Sequence, residues 1–325
     1  MRHVLVTGGA GYIGSHVALA LREAGHAPVV IDNLSTGRRE LVPDGVPFIH
    51  GDIGDGSAVA EALDRYRCEA VMHFAGSIVV PESVAHPLAY YRNNTAASRT
   101  LIETCQRTRV QAFVFSSTAA VYGNPTVAQI DEQTPPRPIN PYGRSKLVTE
   151  WMLRDAAEAN GPRYVALRYF NVAGADPLGR SGQASPKPTH LIKLACETMV
   201  GRRPELQVFG TDYNTPDGTC IRDYVHVSDL AQAHVLALDH LLGGGPSCTF
   251  NCGYGRGYSV RQVISALERV GKRRIAVSEA GRRPGDPACL VADTRLIRTT
   301  LGWTPHFEEL ETIVGTALEW ERRSA

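Results

Sequence analysis

Four glycines, Gly8, Gly9, Gly11 and Gly14, separate a short apolar run, Val4-Leu5-Val6-Thr7, from a segment with Ile13, Val17 and Leu21 at helical spacing. A strand that turns through glycine directly into a helix leaves few folds open. Gly9, Gly11 and Gly14 satisfy G-x-G-x-x-G, while Gly8, Gly11 and Gly14 satisfy G-x-x-G-x-x-G. Either pattern lets backbone approach a pyrophosphate at the helix N-terminus. A bare glycine pattern is common, so its context decides. The next β-branched run, Pro28 to Ile31, ends at Asp32, eighteen residues after Gly14. A carboxylate there accepts hydrogen bonds from both hydroxyls of an adenosine ribose and repels a 2′-phosphate, which predicts NAD rather than NADP. Asp52-Ile53, after the third predicted strand, is placed to meet the adenine. Arg38 and Arg39 come too late to replace Asp32 and read as a solvated face.

The rest of the first half repeats this alternation. Phe48 to His50, Ala70 to Phe74, Ala112 to Ser116 and Val165 to Phe170 read as strands. Helical stretches fall near Ala58 to Tyr66 and from Leu88 to Arg107, and another carries Tyr142. Strands alternating with helices predict a parallel, doubly wound α/β sheet of Rossmann type. After Asn171 the pattern loosens. Pro177 to Pro188 reads as a loop, and Gly243-Gly244-Gly245-Pro246 as a connector. Ser228-Asp229 can cap a helix to about Leu242 that returns to the first unit. The expected division is a nucleotide-binding domain over 1–170, joined by 225–243, and a smaller α/β substrate domain over 171–224 and 244–325.

Composition narrows the function class. The 325 residues are 43% hydrophobic, enough for a sizeable core. Lys and Arg total 34 against 33 Asp and Glu, so no basic field marks a nucleic-acid binder. The seven Cys form no C-x-x-C pair and read as reduced thiols, with no metal site expected. No apolar run reaches 18 residues, so neither a membrane partner nor a signal segment is expected, and the chain reads as cytoplasmic.

Tyr142 and Lys146, behind Pro141, lie four residues apart on one predicted helix face. A phenol of pKa near 10 is a poor base at pH 7, and a neighbouring ammonium lowers that pKa. Bringing it to ~7 takes roughly 4 kcal/mol of differential stabilisation. Such a pair can take a proton from a hydroxyl. The spacing alone is equally that of a solvated helix.

With the glycine loop, Ser116-Ser117-Thr118 and Tyr142/Lys146 together, the chain resembles the extended short-chain dehydrogenase/reductase family nearly end to end. Thr7 through His16, His73-Phe74-Ala75-Gly76, Tyr91-Arg92-Asn93-Asn94 and Arg168 through Ala175 are similar to its nucleotide-sugar epimerases. Phe209 through Tyr213 and Asp217 through Val227 narrow this to the 4-epimerases of UDP-hexoses. The resemblance implies reversible epimerisation at C4, UDP-galactose to UDP-glucose, through a transient 4-keto sugar and NADH. It implies Tyr142 as base, Lys146 as its electrostatic partner and a binder of the nicotinamide ribose, and Thr118 on the sugar 4-oxygen. Gly8, Gly11, Tyr12, Ile13, Gly14, Asp32, Asn33, Asp52, Ile53, Phe74, Ala75, Gly76, Asn93 and Phe170 would line the cofactor. Asn171, His190, Phe209, Arg222, Arg283 and Asp286 would hold the substrate, the arginines suiting a diphosphate. A homodimer through two helices, one carrying Tyr142, is also implied.

Four positions depart from relatives or exclude rivals. Ile78 stands where some relatives carry Lys. Leu290, intermediate in size, stands at the position that sets tolerance of N-acetylated sugars. Ala119 and Ala120 replace the Asp-Glu pair that sugar dehydratases place after Thr. Elimination of water then lacks its acid and base. UDP-glucuronate, UDP-pentose or UDP-N-acetylglucosamine as substrate, and a non-catalytic NAD-binding regulator, remain as alternatives.

Overall fold

The computed structural model describes residues 1–186, 188–283 and 286–324. Its strands are β1 (His3–Thr7), β2 (Ala27–Asp32), β3 (Phe48–His50), β4 (Ala70–His73), β5 (Ala112–Thr118), β6 (Arg163–Tyr169), β7 (Asn171–Ala173), β8 (Leu206–Phe209), β9 (Ile221–His226), β10 (Cys248–Cys252), β11 (Gly257–Ser259), β12 (Val277–Ala280) and β13 (Cys289–Leu290). Seven of them form one parallel sheet in the order β10-β6-β5-β4-β1-β2-β3. A parallel sheet is covered on both faces, so its strands read as continuous apolar runs. Alternate residues supply the two sides. Val4, Val6, Val30, Met72, Val114 and Val165 enter one core with Val17 and Leu21 of the helix Tyr12–Glu23. Leu5, Val29, Ile31, Val71, Phe113 and Ala166 enter the other with Leu63, Leu101 and Leu153.

The strand order reverses between β1 and β4, where an open α/β sheet leaves a crevice beyond its strand ends. The remaining strands form two small sheets, β11-β9-β13 with β7 beside β9, and β12-β8. The sequence division at residue 244 leaves Cys248–Cys252 with the second unit, whereas this strand pairs with β6 in the large sheet. We propose the boundary after it. The helix Val227–Leu242 packs on Tyr12–Glu23 and on β5 and β6. Its N-cap is His226, whose Nδ1 accepts from Ser228 N at 3.1 Å, rather than Ser228-Asp229. Asp229 instead accepts from His306 N and Phe307 N at 2.9 and 2.8 Å, tying down the C-terminal segment. The helix expected over Leu88 to Arg107 is interrupted by a π-helical stretch, Tyr91–Ala96. No helix among the described residues is long and apolar enough to cross a membrane.

Four buried histidines are held neutral by burial: His73 and His226 are lowered to about 3, His16 and His234 to about 4. Asp223, buried against the amides of Tyr254, Gly255 and Ala292, is raised to about 6. As pH falls below 6.5, unfolded chains protonate the four imidazoles and folded ones do not, so stability is lost. Asp223 works the other way, taking up a proton in the folded state first. Near pH 5 the unfolded chain holds more protons at these five groups than the folded one, so stability falls with falling pH. Urea midpoints should therefore fall steeply from pH 7 to pH 5. A midpoint flat over that range would contradict the assignment of four neutral buried imidazoles.

Candidate active site

The glycine turn sits at the strand-order reversal. Gly8 has φ +68°, and a Cβ there would stand 2.6 Å from Ala75 N on the loop after β4. A Cβ at Gly14 would stand 2.4 Å from the Gly8 carbonyl oxygen. Side chains at either position would force β1, the helix and the β4 loop apart. The helix begins at Gly11 with no side-chain cap and no acidic residue in its first turn. Its first amides thus keep their donors for an acceptor from outside, the chemistry a pyrophosphate fits. Asp32 ends β2 with its carboxylate fixed: Oδ2 accepts from Ala10 N at 3.0 Å and Oδ1 from Leu34 N at 2.8 Å. Asn33 donates to Asp52 Oδ2 at 2.8 Å, and Ile53 is buried beneath. The donor set and the side-chain-free cradle fit a dinucleotide carrying free ribose hydroxyls.

Tyr12 donates from its hydroxyl to the Gly174 carbonyl at 2.6 Å, joining the glycine turn to the segment after β7. Ile13 packs against the larger core. Phe74 lies 4.9 Å from the His234 ring, and Asn93 donates to Ser77 Oγ at 2.9 Å. Phe170 is buried with Leu147 and Ala119.

Thr118 ends β5 and caps the short 3-10 turn Ala119–Tyr122, its Oγ1 accepting from Ala120 N at 3.1 Å. Tyr142 opens the helix Pro141–Glu158. That helix is capped by Asn140, whose Oδ1 accepts from Gly143 N at 2.8 Å. Burial raises the Tyr142 phenol above its usual value, and the Thr118 side chain opposes the rise. The first turn of the Tyr142 helix presses on the turn after Thr118: a Cβ at Gly143 would stand 2.6 Å from the Ala120 carbonyl oxygen. Lys146 is 3% exposed, donates from Nζ to Ser116 O at 2.8 Å and lies 4.9 Å above the Phe115 ring. Burial lowers it to about 8. A Cβ on Gly76 would stand 3.7 Å from Nζ, so Lys146 reaches across to the β4 loop. The Lys146 ammonium is thus held by the Ser116 carbonyl near the end of β5, one helical turn from Tyr142.

Two groups beneath the site escaped sequence reasoning. Glu150, one turn beyond Lys146, accepts from the Ser117 hydroxyl and from Arg168, Nε to Oε1 at 3.0 Å and NH2 to Oε2 at 2.6 Å. Arg168 also donates to Tyr122 OH at 2.9 Å, which donates to Asn251 Oδ1 at 2.7 Å. Asn94 accepts from Ser77 N at 2.8 Å and donates to Ser145 Oγ at 3.0 Å, tying the β4 loop to the Tyr142 helix. Arg168 and Glu150 are 18 apart in sequence, a separation no helical or strand period marks.

The second group of expected residues lies on the small sheets and the loops around them. Arg222 on β9 is 8% exposed and pairs in register with Leu290. Arg222 donates from Nη1 to the Ile221 carbonyl at 2.8 Å, while its neighbour Asp223 turns to three backbone amides. Arg283 lies 4.5 Å above the Phe209 ring and donates from Nε to Asp286 Oδ2 at 3.1 Å. Asn171 and His190 line one cleft with Gln183 and Tyr224. Gln183 Nε2 lies 2.8 Å from His190 Nδ1, and burial keeps that imidazole below its usual pKa. Lys187 and Gly285, in the two loops singled out from the sequence, lie outside the described residues.

Residues 4–253 match the NAD dependent epimerase/dehydratase family. The UDP-glucose 4-epimerase of Azospirillum brasilense is 62% identical over 319 residues, covering 98% of this chain and 92% of that protein. The crystal structure of UDP-glucose 4-epimerase from Brucella ovis in complex with NAD is 48% identical with a TM-score of 0.95, over 98% of each chain. That of UDP-glucose 4-epimerase from Bifidobacterium longum in complex with NAD+ and UDP is 36% identical with a TM-score of 0.94, over 99% of this chain and 98% of that one. With the glycine turn, Asp32 and the Thr118–Tyr142–Lys146 cluster in place, the chain belongs to the NAD dependent epimerase/dehydratase family.

Proposed function

We propose that this chain interconverts UDP-galactose and UDP-glucose by epimerisation at C4. The observation that supports the reading is the convergence at the end of β5: the Tyr142 helix starts against the turn that Thr118 caps, and Lys146, one helical turn on, is buried against Ser116 O with the β4 loop at Gly76 beside it. Relatives named for this activity share most of the chain's length. The turn from Gly8 to Gly14, with Tyr12, Ile13, Asp32, Asn33, Asp52, Ile53, Phe74, Ala75, Gly76, Asn93, Lys146 and Phe170, would hold NAD. Bound there, NAD supplies a hydride acceptor and donor for C4 of the sugar.

The chain's own residues manage the proton and the geometry. Tyr142 takes the proton of the sugar 4-hydroxyl at its phenolic oxygen and later returns it. Thr118 holds the same sugar oxygen by a hydrogen bond. Lys146 places its positive charge near the developing oxyanion. Asn171, His190, Phe209, Arg222, Arg283 and Asp286 hold the UDP half, so that the keto sugar can turn over while the diphosphate stays fixed. Ala119 and Ala120 carry no proton, which leaves epimerisation and not dehydration. Seven free cysteines accord with action in the reducing cytoplasm. Val84, Leu88 and Trp151, exposed on neighbouring helices, are the apolar groups a homodimer would cover.

Purified protein given UDP-galactose without added NAD should produce UDP-glucose. Tyr142→Phe should lower kcat by a factor on the order of 10²–10⁴ with the melting temperature kept. Full activity in that variant would overturn the assigned base. Leu290, beside Arg222, should disfavour the extra bulk of an N-acetyl group by about tenfold or more in kcat/KM. Equal turnover of UDP-N-acetylglucosamine and UDP-galactose would overturn the preference for the plain hexose.

A further inference from the structure

Gln183 has no role in the mechanism above, yet its side chain is committed to His190, which has one. Gln183 is 7% exposed, whereas His190 is half-buried and lines one cleft with Asn171, another residue proposed to hold the UDP half. Gln183 Nε2 lies 2.8 Å from His190 Nδ1. An amide nitrogen only donates, so Nδ1 is the acceptor of this bond. A neutral imidazole that accepts at Nδ1 carries its proton on Nε2. Nε2 has no hydrogen-bond partner among the described residues, so its N–H is left for an acceptor from outside.

Both ends of the Gln183–His190 bond are fastened to one helix, Leu310–Arg323. Trp320 donates from Nε1 to Gln183 O at 3.3 Å. A Cβ at Gly182 would stand 2.3 Å from the indole, so the backbone leading into Gln183 lies against that ring. The next residue of the helix, Glu321, is 1% exposed and accepts from Lys193. Lys193 belongs to the helix Leu191–Met199, whose N-cap is His190. Arg202 fixes Glu321 in turn, Nη1 to Oε2 at 2.8 Å. Adjacent residues of one helix therefore hold the Gln183 loop and the start of the His190 helix in place.

We infer that Gln183 is a positioning residue: its donation to Nδ1 holds the His190 ring in one orientation and keeps the ring proton on Nε2, from which it is donated to an acceptor oxygen of the UDP half. The inference deepens the reading under Proposed function and rests on it. A contact remote from C4 is made equally in the ground and transition states, so loosening it raises KM and leaves kcat unchanged.

The test combines long-range proton–nitrogen NMR of the purified protein labelled with 15N-histidine, His190→Gln identifying the signals, with calorimetry of UDP binding and kinetics with UDP-galactose. Wild type should show His190 protonated at Nε2 and bare at Nδ1. Gln183→Met removes the donor at similar size, and should raise the Kd for UDP and the KM each about three- to tenfold with kcat within about twofold of wild type. Gln183→Glu replaces the donor by an acceptor that draws a second proton onto Nδ1 while Nε2 keeps its own, so its Kd for UDP should stay within about threefold of wild type. A wild-type proton on Nδ1 overturns the inference alone, as does an unchanged Kd in Gln183→Met or a Kd raised as far in Gln183→Glu as in Gln183→Met. Wild type that binds no UDP overturns the UDP-sugar reading and this inference with it.

Discussion

The buried Glu150–Arg168 pair holds the reaction end of this molecule together. Glu150 comes from the helix that bears Tyr142 and Lys146; Arg168 comes from β6. Between them they take in the Ser117 hydroxyl on β5, Tyr122 on the turn after Thr118 and, through Tyr122, Asn251 on β10. Five elements therefore meet in one satisfied network under the site. Two charges out of water cost several kcal/mol each, and a pair of this kind often does no better than a well-packed apolar pair. Its consequence here is positional. Ser116, Ser117 and Thr118 are successive residues at the end of β5: the first takes the Lys146 ammonium, the second the Glu150 carboxylate, and the third caps the turn against which the Tyr142 helix starts.

The other constraint is steric. β1, the first helix and the loop after β4 approach so closely that Gly8 and Gly14 admit no side chain. This closeness sets bare amides at the strand-order reversal and brings the β4 loop within reach of Lys146. Asn94 secures the same loop from the opposite side through Ser77 and Ser145. Cofactor cradle and proton-handling groups are thus two sides of one short loop, Phe74 to Ser77.

What the sequence makes legible is what lies close along the chain. The strand–glycine–helix passage, the distance from Gly14 to Asp32, and the four-residue step from Tyr142 to Lys146 are local patterns with direct geometric meaning. What escaped depends on pairing between elements. Glu150 with Arg168 and Asp223 with three backbone amides leave no periodic trace. The membership of β10 in the large sheet is equally a tertiary fact. The partner of Lys146 is another such fact: helical spacing relates it to Tyr142, while the hydrogen bond that holds its ammonium comes from Ser116 O on β5.

On the proposed function, the hydrogen at C4 leaves the sugar and returns to it within the site, while Tyr142 handles only the hydroxyl proton. Conversion of UDP-galactose deuterated at C4, followed by NMR of the product, tests this directly. The UDP-glucose formed should keep its deuterium at C4 in ordinary water. Loss of the label to solvent would mean that carbon, and not only oxygen, exchanges its hydrogen with water, and would contradict it.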